Sequence, residues 1–158
     1  MTQTLDFAAF FREVAAPLLG YLRRLGASQA LAEDVAQDAF EGLVAKGGLH
    51  WDALRARMYV YRSASNGYID ACRRRKPEVD WDSLPEQGDQ AIDTVADELF
   101  TSPAWHALNA RQRQLLWLAY AEEFSHREIA SICGINENSV RVLLFRTRDK
   151  LKNAMEAP

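Results

Sequence analysis

Apolar residues recur every three to four positions along most of the chain, which is the spacing of amphipathic helices. Runs in which apolar and polar residues alternate, as strands require, are nearly absent. The pattern therefore predicts an all-α protein made of short helical segments. The predicted helices cover residues 6–25, 28–46, 52–74, 109–122, 125–134 and 136–155.

The ends of these helices are marked by residues that satisfy free backbone groups or stop the helical turn. Pro17 lies inside the first predicted helix and not at its end, and a proline there is expected to kink or divide the helix. The predicted N-caps are Ser28, Asp52, Asn109, Ser125 and Asn136, with Gln112 and Glu128 completing two capping boxes, and the predicted stops are Gly26, Gly47, Gly48 and Gly134.

Helical periodicity fails between residues 77 and 103, where Pro77, Pro85 and Gly88 lie among acidic residues. This composition is typical of a linker. The chain is therefore predicted to form two small helical domains, residues 1–76 and 104–158, joined by an acidic, flexible segment at 77–103.

The charge of the whole chain is −3, which taken alone argues against a nucleic-acid-binding protein. The charge is segregated, however. Residues 55–77 hold seven basic side chains and one acidic, residues 78–104 hold eight acidic and no basic, and residues 105–158 hold eight basic and six acidic. Segregation of this kind indicates separate surfaces for separate partners.

The segment 125–140 has the spacing of a helix-turn-helix. Ala130 is a small residue where two helices would touch, Gly134 follows four positions later, and Val140 follows six after that. The second helix would enter a DNA major groove. An ordinary helical hairpin with a basic solvent face is the alternative. The residues that would face DNA are Glu137, Asn138, Ser139 and Arg141, with Arg146, Arg148, Lys150 and Lys152 suited to phosphates.

Two faces of the first domain carry candidate binding residues. In the second helix, Asp34, Gln37, Asp38 and Glu41 form an acidic face, which is either a solvated surface or a dock for a basic helix. The third helix is expected to bury Leu54, Met58, Tyr61, Tyr68 and Ile69. Beside them Arg55, Tyr59, Arg62 and Asn66, with the basic cluster 73–76, suit single-stranded nucleic acid, because rings stack on bases while arginines contact phosphates.

Signs of catalysis are missing from the sequence. There is no Ser-His-Asp set, metal-ligand cluster or phosphate-binding glycine loop, and His50, His106 and His126 are scattered. We therefore expect a protein that is not an enzyme and needs no cofactor or metal. Two distant cysteines, short apolar runs and an N-terminus unlike a signal peptide predict a reduced, cytoplasmic protein.

Several motifs together resemble an extracytoplasmic-function (group IV) sigma factor of RNA polymerase. The sequences YLRRLG at 21–26, AEDVAQDAF at 32–40 and YRSASN at 61–66, followed by Asp70 and the arginines 73–75, resemble region two of that family. LNARQRQL at 108–115, with residues 125–151, resembles region four. The resemblance covers nearly the whole chain except the linker.

The resemblance implies a factor that binds core RNA polymerase and directs it to promoters, with an anti-sigma factor as a further partner whose membrane anchoring is left open. It implies that the linker passes through the nucleic-acid channel of the polymerase, where its acidic residues would mimic nucleic acid. It assigns polymerase docking to Asp34, Gln37, Asp38, Phe40 and Glu41; the −10 element to Arg55, Tyr59, Arg62, Asn66, Asp70, Arg73, Arg74, Arg75 and Lys76; and the −35 element to Arg127, Asn138, Ser139, Arg141, Phe145, Arg146 and Arg148.

The chain departs from the family pattern at several positions. Ser65 replaces a common arginine, and Gly67 is expected to interrupt the third helix near the base pocket. Val142 and Leu143 replace a common Ser-Arg pair, and Phe145 a common histidine, so the recognition helix is more apolar. Two other functions stay open: a sigma-mimicking partner of an anti-sigma factor, and a plain helix-turn-helix regulator.

Overall fold

The computed structural model describes residues 4–75 and 102–156, and all regular structure within these two ranges is helical. No helix in these ranges is long and apolar enough to cross a membrane. The expected all-α class is confirmed. The helices are α1 (Phe7–Leu25), α2 (Gln29–Ala45), α3 (Ala53–Arg75), α4 (Pro103–His106), α5 (Ala110–Leu116), α6 (His126–Cys133) and α7 (Glu137–Glu156), with a short 3-10 turn at Gly48–His50 and a π-helical turn at Trp117–Ala121.

Helix α1 begins and ends where its sequence predicts. The Asp6 carboxylate accepts a hydrogen bond from the Ala9 amide at 3.2 Å, and Gly26 ends the helix with a φ of 122°. The expected division at Pro17 is wrong, because α1 continues through the proline as one helix. The apolar side of α1 is buried immediately after Pro17, at Leu18 and Leu22, so packing holds the helix together across the lost hydrogen bond.

Helices α2 and α3 are capped by Ser28 and Asp52 as predicted, with hydrogen bonds to the backbone amides three residues on. The expected interruption at Gly67 is wrong, since α3 runs unbroken from Ala53 to Arg75. A Cβ atom at position 67 would lie only 3.1 Å from Val35 Cγ1. The glycine therefore allows α3 to approach α2 closely rather than breaking the helix.

The second half of the described chain, residues 102–156, contains the predicted helices and one that was not predicted. Both capping boxes are formed, at Asn109 with Gln112 and at Ser125 with Glu128. The short helix α4, capped by Ser102, was missed because four residues carry no periodic signal. The helix after Asn109 changes to a π-helical turn at Trp117–Ala121, so that its last turn is wider than an α-helix.

Both halves share one hydrophobic core in which α3 lies centrally. Tyr21 of α1 and Tyr61 of α3 are fully buried, and the Tyr61 ring meets the Phe124 ring edge-on at 5.4 Å. The Gln114 side-chain amide donates to the Tyr21 hydroxyl at 3.0 Å, and the Tyr21 hydroxyl and Ser65 Oγ are 2.6 Å apart. Ser65 is therefore an interior residue and does not face solvent.

An arginine on α3 joins the halves further out. Nη2 of Arg57 donates to the Glu122 carboxylate at 2.8 Å and to the Glu122 carbonyl at 2.9 Å. The same guanidinium lies 4.2 Å from the centre of the Phe124 ring. One side of α3 is thus fixed against the second half by charge and packing at the same site.

The expected buried side of α3 is only partly correct. Tyr61 and Tyr68 are buried, and Met58 and Ile69 are half-buried. Leu54 was expected in the core but is 47% exposed. It lies in the first turn of α3, at the edge of a surface cavity that Trp51 also lines, so no neighbouring element covers it.

Candidate nucleic-acid interface

The polar residues predicted along α2 are all exposed, but they border two different concavities. Gln37 and Glu41 lie at an apolar groove of about 720 Å³ between α1 and α2. Asp38 lies at a separate cleft between α2 and α3, and Asp34 borders neither. The structure therefore separates residues that the sequence placed on one docking face.

Aromatic side chains form the wall of the groove between α1 and α2. Phe40 is 4% exposed, and its ring lies 4.9 Å from that of Phe11 and 6.2 Å from that of Phe7. Phe11 is 45% exposed and Val44 43%, which are large values for such side chains. Because the polar residues that line this groove, Glu33, Gln37 and Glu41, include two carboxylates, the surface combines apolar contact with negative charge.

The cleft between α2 and α3 brings together four of the nine residues predicted for the −10 element. Its volume is about 690 Å³, within the range of pockets that hold small organic groups. Arg55 lies at an adjoining cavity of about 390 Å³, which Ser131 of α6 also lines. The cleft is lined by Tyr59, Arg62, Asn66 and Asp70 from α3, by Val35 and Asp38 from α2, and by Lys46 and Trp51 from the connecting turn.

Trp51 and Lys46 are cleft residues that the sequence analysis missed. The Trp51 ring lies 4.2 Å from the Arg55 guanidinium and 5.6 Å from the Tyr59 ring, and Lys46 Nζ lies 5.7 Å from the Tyr59 ring. Both residues lie outside α3, so a search along that helix does not find them. The available signal was the short, glycine-containing turn that must return the chain from α2 to α3.

Two glycines shape this part of the cleft. Gly47 has a φ of 79°, which glycine adopts without strain and which directs the chain into the 3-10 turn before Trp51. At Gly42, a Cβ atom would lie 2.7 Å from the Tyr59 hydroxyl oxygen. The position of the Tyr59 ring thus depends on the absence of a side chain at residue 42.

The basic cluster at the end of α3 is only partly described. Arg73, Arg74 and Arg75 are exposed in the last turn of α3, where positive charge also complements the negative end of the helix. Lys76 and the predicted linker, up to residue 101, lie outside the described residues. The three arginines extend the basic surface of α3 beyond the cleft.

Helix α7 presents the predicted −35 residues on one exposed side. One side of α7 is buried against the other helices of the second half, at Val140, Leu144 and Thr147. The exposed residues of α7 include Asn138, Ser139, Arg141, Phe145, Arg146 and Arg148. Arg148 donates to the Tyr120 hydroxyl at 2.8 Å, and Arg127 is exposed at the start of α6. The turn before α7 is set by Gly134, whose φ is 69°. This arrangement is that of a helix-turn-helix.

Burial keeps two titratable groups neutral, the Cys133 thiol and the Tyr21 hydroxyl. Burial raises the pKa of the Cys133 thiol to about 11, and burial likewise raises the pKa of the Tyr21 hydroxyl. The thiolate fraction of Cys133 at neutral pH is therefore very small, which argues against a nucleophilic role.

Comparison with protein-family models defines the class of this fold. Residues 10–78 match the model of Sigma-70 region 2, and residues 106–151 match that of Sigma-70 region 4. Together the two matches cover well over half of the chain. They place α1, α2 and α3 in the first region and α5, α6 and α7 in the second.

Individual relatives identify the kind of sigma factor that the chain resembles. The chain is 29% identical to the ECF RNA polymerase sigma factor RpoE of Cereibacter sphaeroides, covering 94% of this chain and 86% of the relative. It is 27% identical to the ECF RNA polymerase sigma factor SigM of Bacillus subtilis, covering 84% of each. It is 28% identical to the RNA polymerase sigma-E factor of Streptomyces coelicolor, covering 99% and 90%. The chain belongs to the extracytoplasmic-function sigma factors, a family that is not a class of enzymes.

Solved structures show the same fold. The sigma factor RpoE of Bartonella quintana, solved in complex with the anti-sigma factor NepR, superposes with a TM-score of 0.71 at 22% identity, covering 96% of this chain and 98% of that one. The factor CnrH, solved with the cytosolic domain of CnrY, superposes with a TM-score of 0.63 at 20% identity, covering 95% and 87%. Both were solved bound to a partner.

Proposed function

We propose that this chain is an alternative sigma factor that binds core RNA polymerase, directs it to promoters and has no catalytic activity of its own. The observation that carries the proposal is the cleft between α2 and α3, where aromatic rings, cationic groups and amide-bearing Asn66 line one space beside the basic end of α3. These are the groups that bind unstacked bases and their phosphates. A plain helix-turn-helix regulator would have no use for this cleft.

We propose that the cleft holds a base of the −10 element once the strands separate. Trp51 and Tyr59 supply ring faces for stacking, and Asn66 supplies both a hydrogen-bond donor and an acceptor for a base edge. Arg55 and Arg62 lie where backbone phosphates next to the base would run. Arg73, Arg74 and Arg75 then continue the phosphate contacts along the same strand.

We propose that polymerase docks on the groove between α1 and α2. An amphipathic helix with a basic flank would bury its apolar side against Phe11, Phe40 and Val44 and place its cations beside Glu33 and Glu41. The predicted docking residues Gln37, Phe40 and Glu41 line this groove, whereas Asp34 and Asp38 do not. Asp34 borders neither concavity and is left out of the proposed docking surface, and Asp38, which lines the cleft, is assigned to the −10 contacts.

The decisive experiment is run-off transcription with core polymerase and this chain on a library of promoter fragments. A promoter-specific transcript that requires the chain is the expected result. Binding to core enzyme without any specific transcript would contradict the sigma-factor proposal and favour a sigma-mimicking partner of an anti-sigma factor. DNA binding without binding to core enzyme would favour a plain regulator.

The docking surface is tested separately by reversing a charge on its rim. Glu41→Arg should weaken binding to core polymerase about tenfold or more, because it places a cation where a basic helix is expected. Glu13→Arg is the matched control, since Glu13 is exposed on α1 but does not line the groove. Asp38→Arg should also weaken binding to core polymerase or DNA. It is less informative about the groove, because Asp38 borders the DNA cleft. Equal affinity for both charge reversals would remove the groove from the proposal.

An anti-sigma factor is the expected regulatory partner. One structural neighbour described above was solved with the anti-sigma factor NepR, and the other with the cytosolic domain of CnrY. The exposed apolar groove of this chain is a surface that a competing helix would fit. A factor of this kind works with polymerase in the cytoplasm. Competition between core polymerase and a co-purified protein for the wild-type chain, but not for Glu41→Arg, would support a shared docking surface.

A further inference from the structure

The outward side of α7 is more apolar than a recognition helix needs for phosphate contacts. At 100° per residue, positions 138, 142, 145 and 149 lie opposite the buried Val140, Leu144 and Thr147. Val142 is 46% exposed and Phe145 is 68% exposed, the highest value among the large apolar side chains of residues 4–75 and 102–156. The centre of the outward side therefore consists of Asn138, Val142 and Phe145.

Charged residues lie on both sides of this apolar centre. Arg141 and Arg148 fall on one flank and Arg146 on the other, all exposed. A helix with cations along both edges and apolar groups in the middle matches a DNA major groove, whose two edges carry phosphates. The same charge pattern would leave several cations unpaired against an apolar protein surface.

We propose that Val142 and Phe145 read the 5-methyl group of thymine in the upstream promoter element, which makes them specificity-determining residues for promoter recognition. This inference rests on the proposed function, since it needs α7 to lie in the major groove. The thymine methyl is the apolar group that base pairs present there, and apolar side chains contact it directly. Asn138, one turn before Val142, is placed to bind a base edge next to that methyl.

The position of Asp149 limits how much of α7 enters the groove. Asp149 falls on the same outward line one turn after Phe145, and a carboxylate there would be repelled by phosphates. The inserted part therefore ends near Phe145. The residues that read bases are confined to the first three turns of α7, which is where helix-turn-helix proteins make base contacts.

A base analogue tests the proposal without knowledge of the promoter. Core polymerase with the full chain would select binders from a duplex library with a randomised upstream region, made once with thymine and once with uracil, which lacks only the 5-methyl group. We expect thymine to be enriched at one or two positions in the first library and uracil not to be enriched at those positions in the second. Replacing one such thymine by deoxyuridine should weaken binding about fourfold, as loss of one buried methyl-sized group predicts.

Variants of α7 connect this preference to the two side chains. Phe145→Ser and Val142→Ser should still support binding but should bind thymine and deoxyuridine duplexes equally. Met155→Ser is the matched control, because Met155 is 60% exposed on the same helix beyond the inserted part, and this variant should keep the fourfold difference.

The outcomes separate this inference from the proposed function. Specific transcription with equal use of thymine and uracil libraries would overturn the methyl-reading role and leave the sigma-factor proposal intact. A preference for thymine that Phe145→Ser and Val142→Ser both retain would also overturn it and assign the exposed apolar residues to a protein contact. Failure to select any duplex would overturn both proposals.

Discussion

The two helices that carry the candidate DNA contacts, α3 and α7, are fixed in the molecule in different ways. Helix α3 packs on α1, α2 and α6, and the exposed residues in its middle form one wall of a cleft. Helix α7 packs on its neighbours in the second half through one side and leaves the other side fully exposed. One helix forms part of an enclosure, and the other protrudes.

This difference fits the two kinds of DNA that the proposed function requires. A separated base must be held between rigid walls that replace its lost stacking, which a central, well-packed helix can provide. A duplex must accept a helix in its major groove, which needs a protruding side without neighbours. The contrast therefore predicts that changes in α3 affect folding and −10 binding together, whereas changes on the outer side of α7 affect only duplex binding.

The largest effect should follow from loss of the arginine that joins α3 to the second half. Arg57→Ala should lower the free energy of unfolding by about 2 to 3 kcal/mol, because it leaves the Glu122 carboxylate, 9% exposed, without its ion pair and removes packing on Phe124. Urea denaturation measures this change. Arg146→Ala on α7 is the control and should change the free energy by less than about 0.5 kcal/mol. Equal losses in the two variants would remove the proposed contrast.

The next effect concerns base capture. Tyr59→Ala should weaken binding of a forked −10 DNA by about 2 kcal/mol, roughly thirtyfold, because one stacking face is lost. The affinity for a closed −35 duplex should stay unchanged. Tyr120→Ala is the control for the forked DNA only, since Tyr120 is 54% exposed in the second half and away from the cleft, while its hydroxyl accepts a hydrogen bond from Arg148. A similar loss for forked and closed DNA would show that Tyr59 supports the fold rather than a base.

The comparison of the two helices also shows what the sequence predicts. The side of α7 follows from local rules, because capping by Asn136, a turn at Gly134 and a buried Val140 set its phase. The cleft depends on contacts between separate elements. Helical periodicity predicts neither the close approach of α3 to α2 at Gly67 nor the contact between the Trp51 and Tyr59 rings.

At Pro17 and Leu54, a local sequence rule predicted a feature that the tertiary contacts do not produce. Propensity alone predicted an α1 that is kinked or divided at Pro17, but the helix is not divided, because the packing of Leu18 and Leu22 holds it together. Periodicity predicted a buried Leu54, but no element covers this side chain, which is 47% exposed. Sequence rules therefore located the described helices apart from the four-residue α4, and tertiary contacts decided which sides are buried and where a cleft opens.

A smaller effect is expected for a single arginine on the protruding helix. Arg141→Ala should weaken binding of the −35 duplex by about 1 kcal/mol without changing stability. The salt dependence of binding identifies the contact. An equal loss on all sequences, with a salt slope reduced by about one, indicates a phosphate contact, whereas a loss at one position indicates a base contact. No change in affinity would exclude Arg141 from the interface.

The smallest effect tests the close approach of α3 to α2. In an open helix, replacing glycine by alanine stabilises by about 0.5 to 1 kcal/mol, and Gly20→Ala in α1 should do so because nothing lies within 4 Å of its Cβ position. Gly67→Ala has the same propensity gain, but its Cβ would lie 3.1 Å from Val35, so we expect a net change near zero. Thermal denaturation of both variants measures the difference. If Gly67→Ala stabilises as much as Gly20→Ala, Val35 can move, and the cleft wall is less rigid than base capture requires.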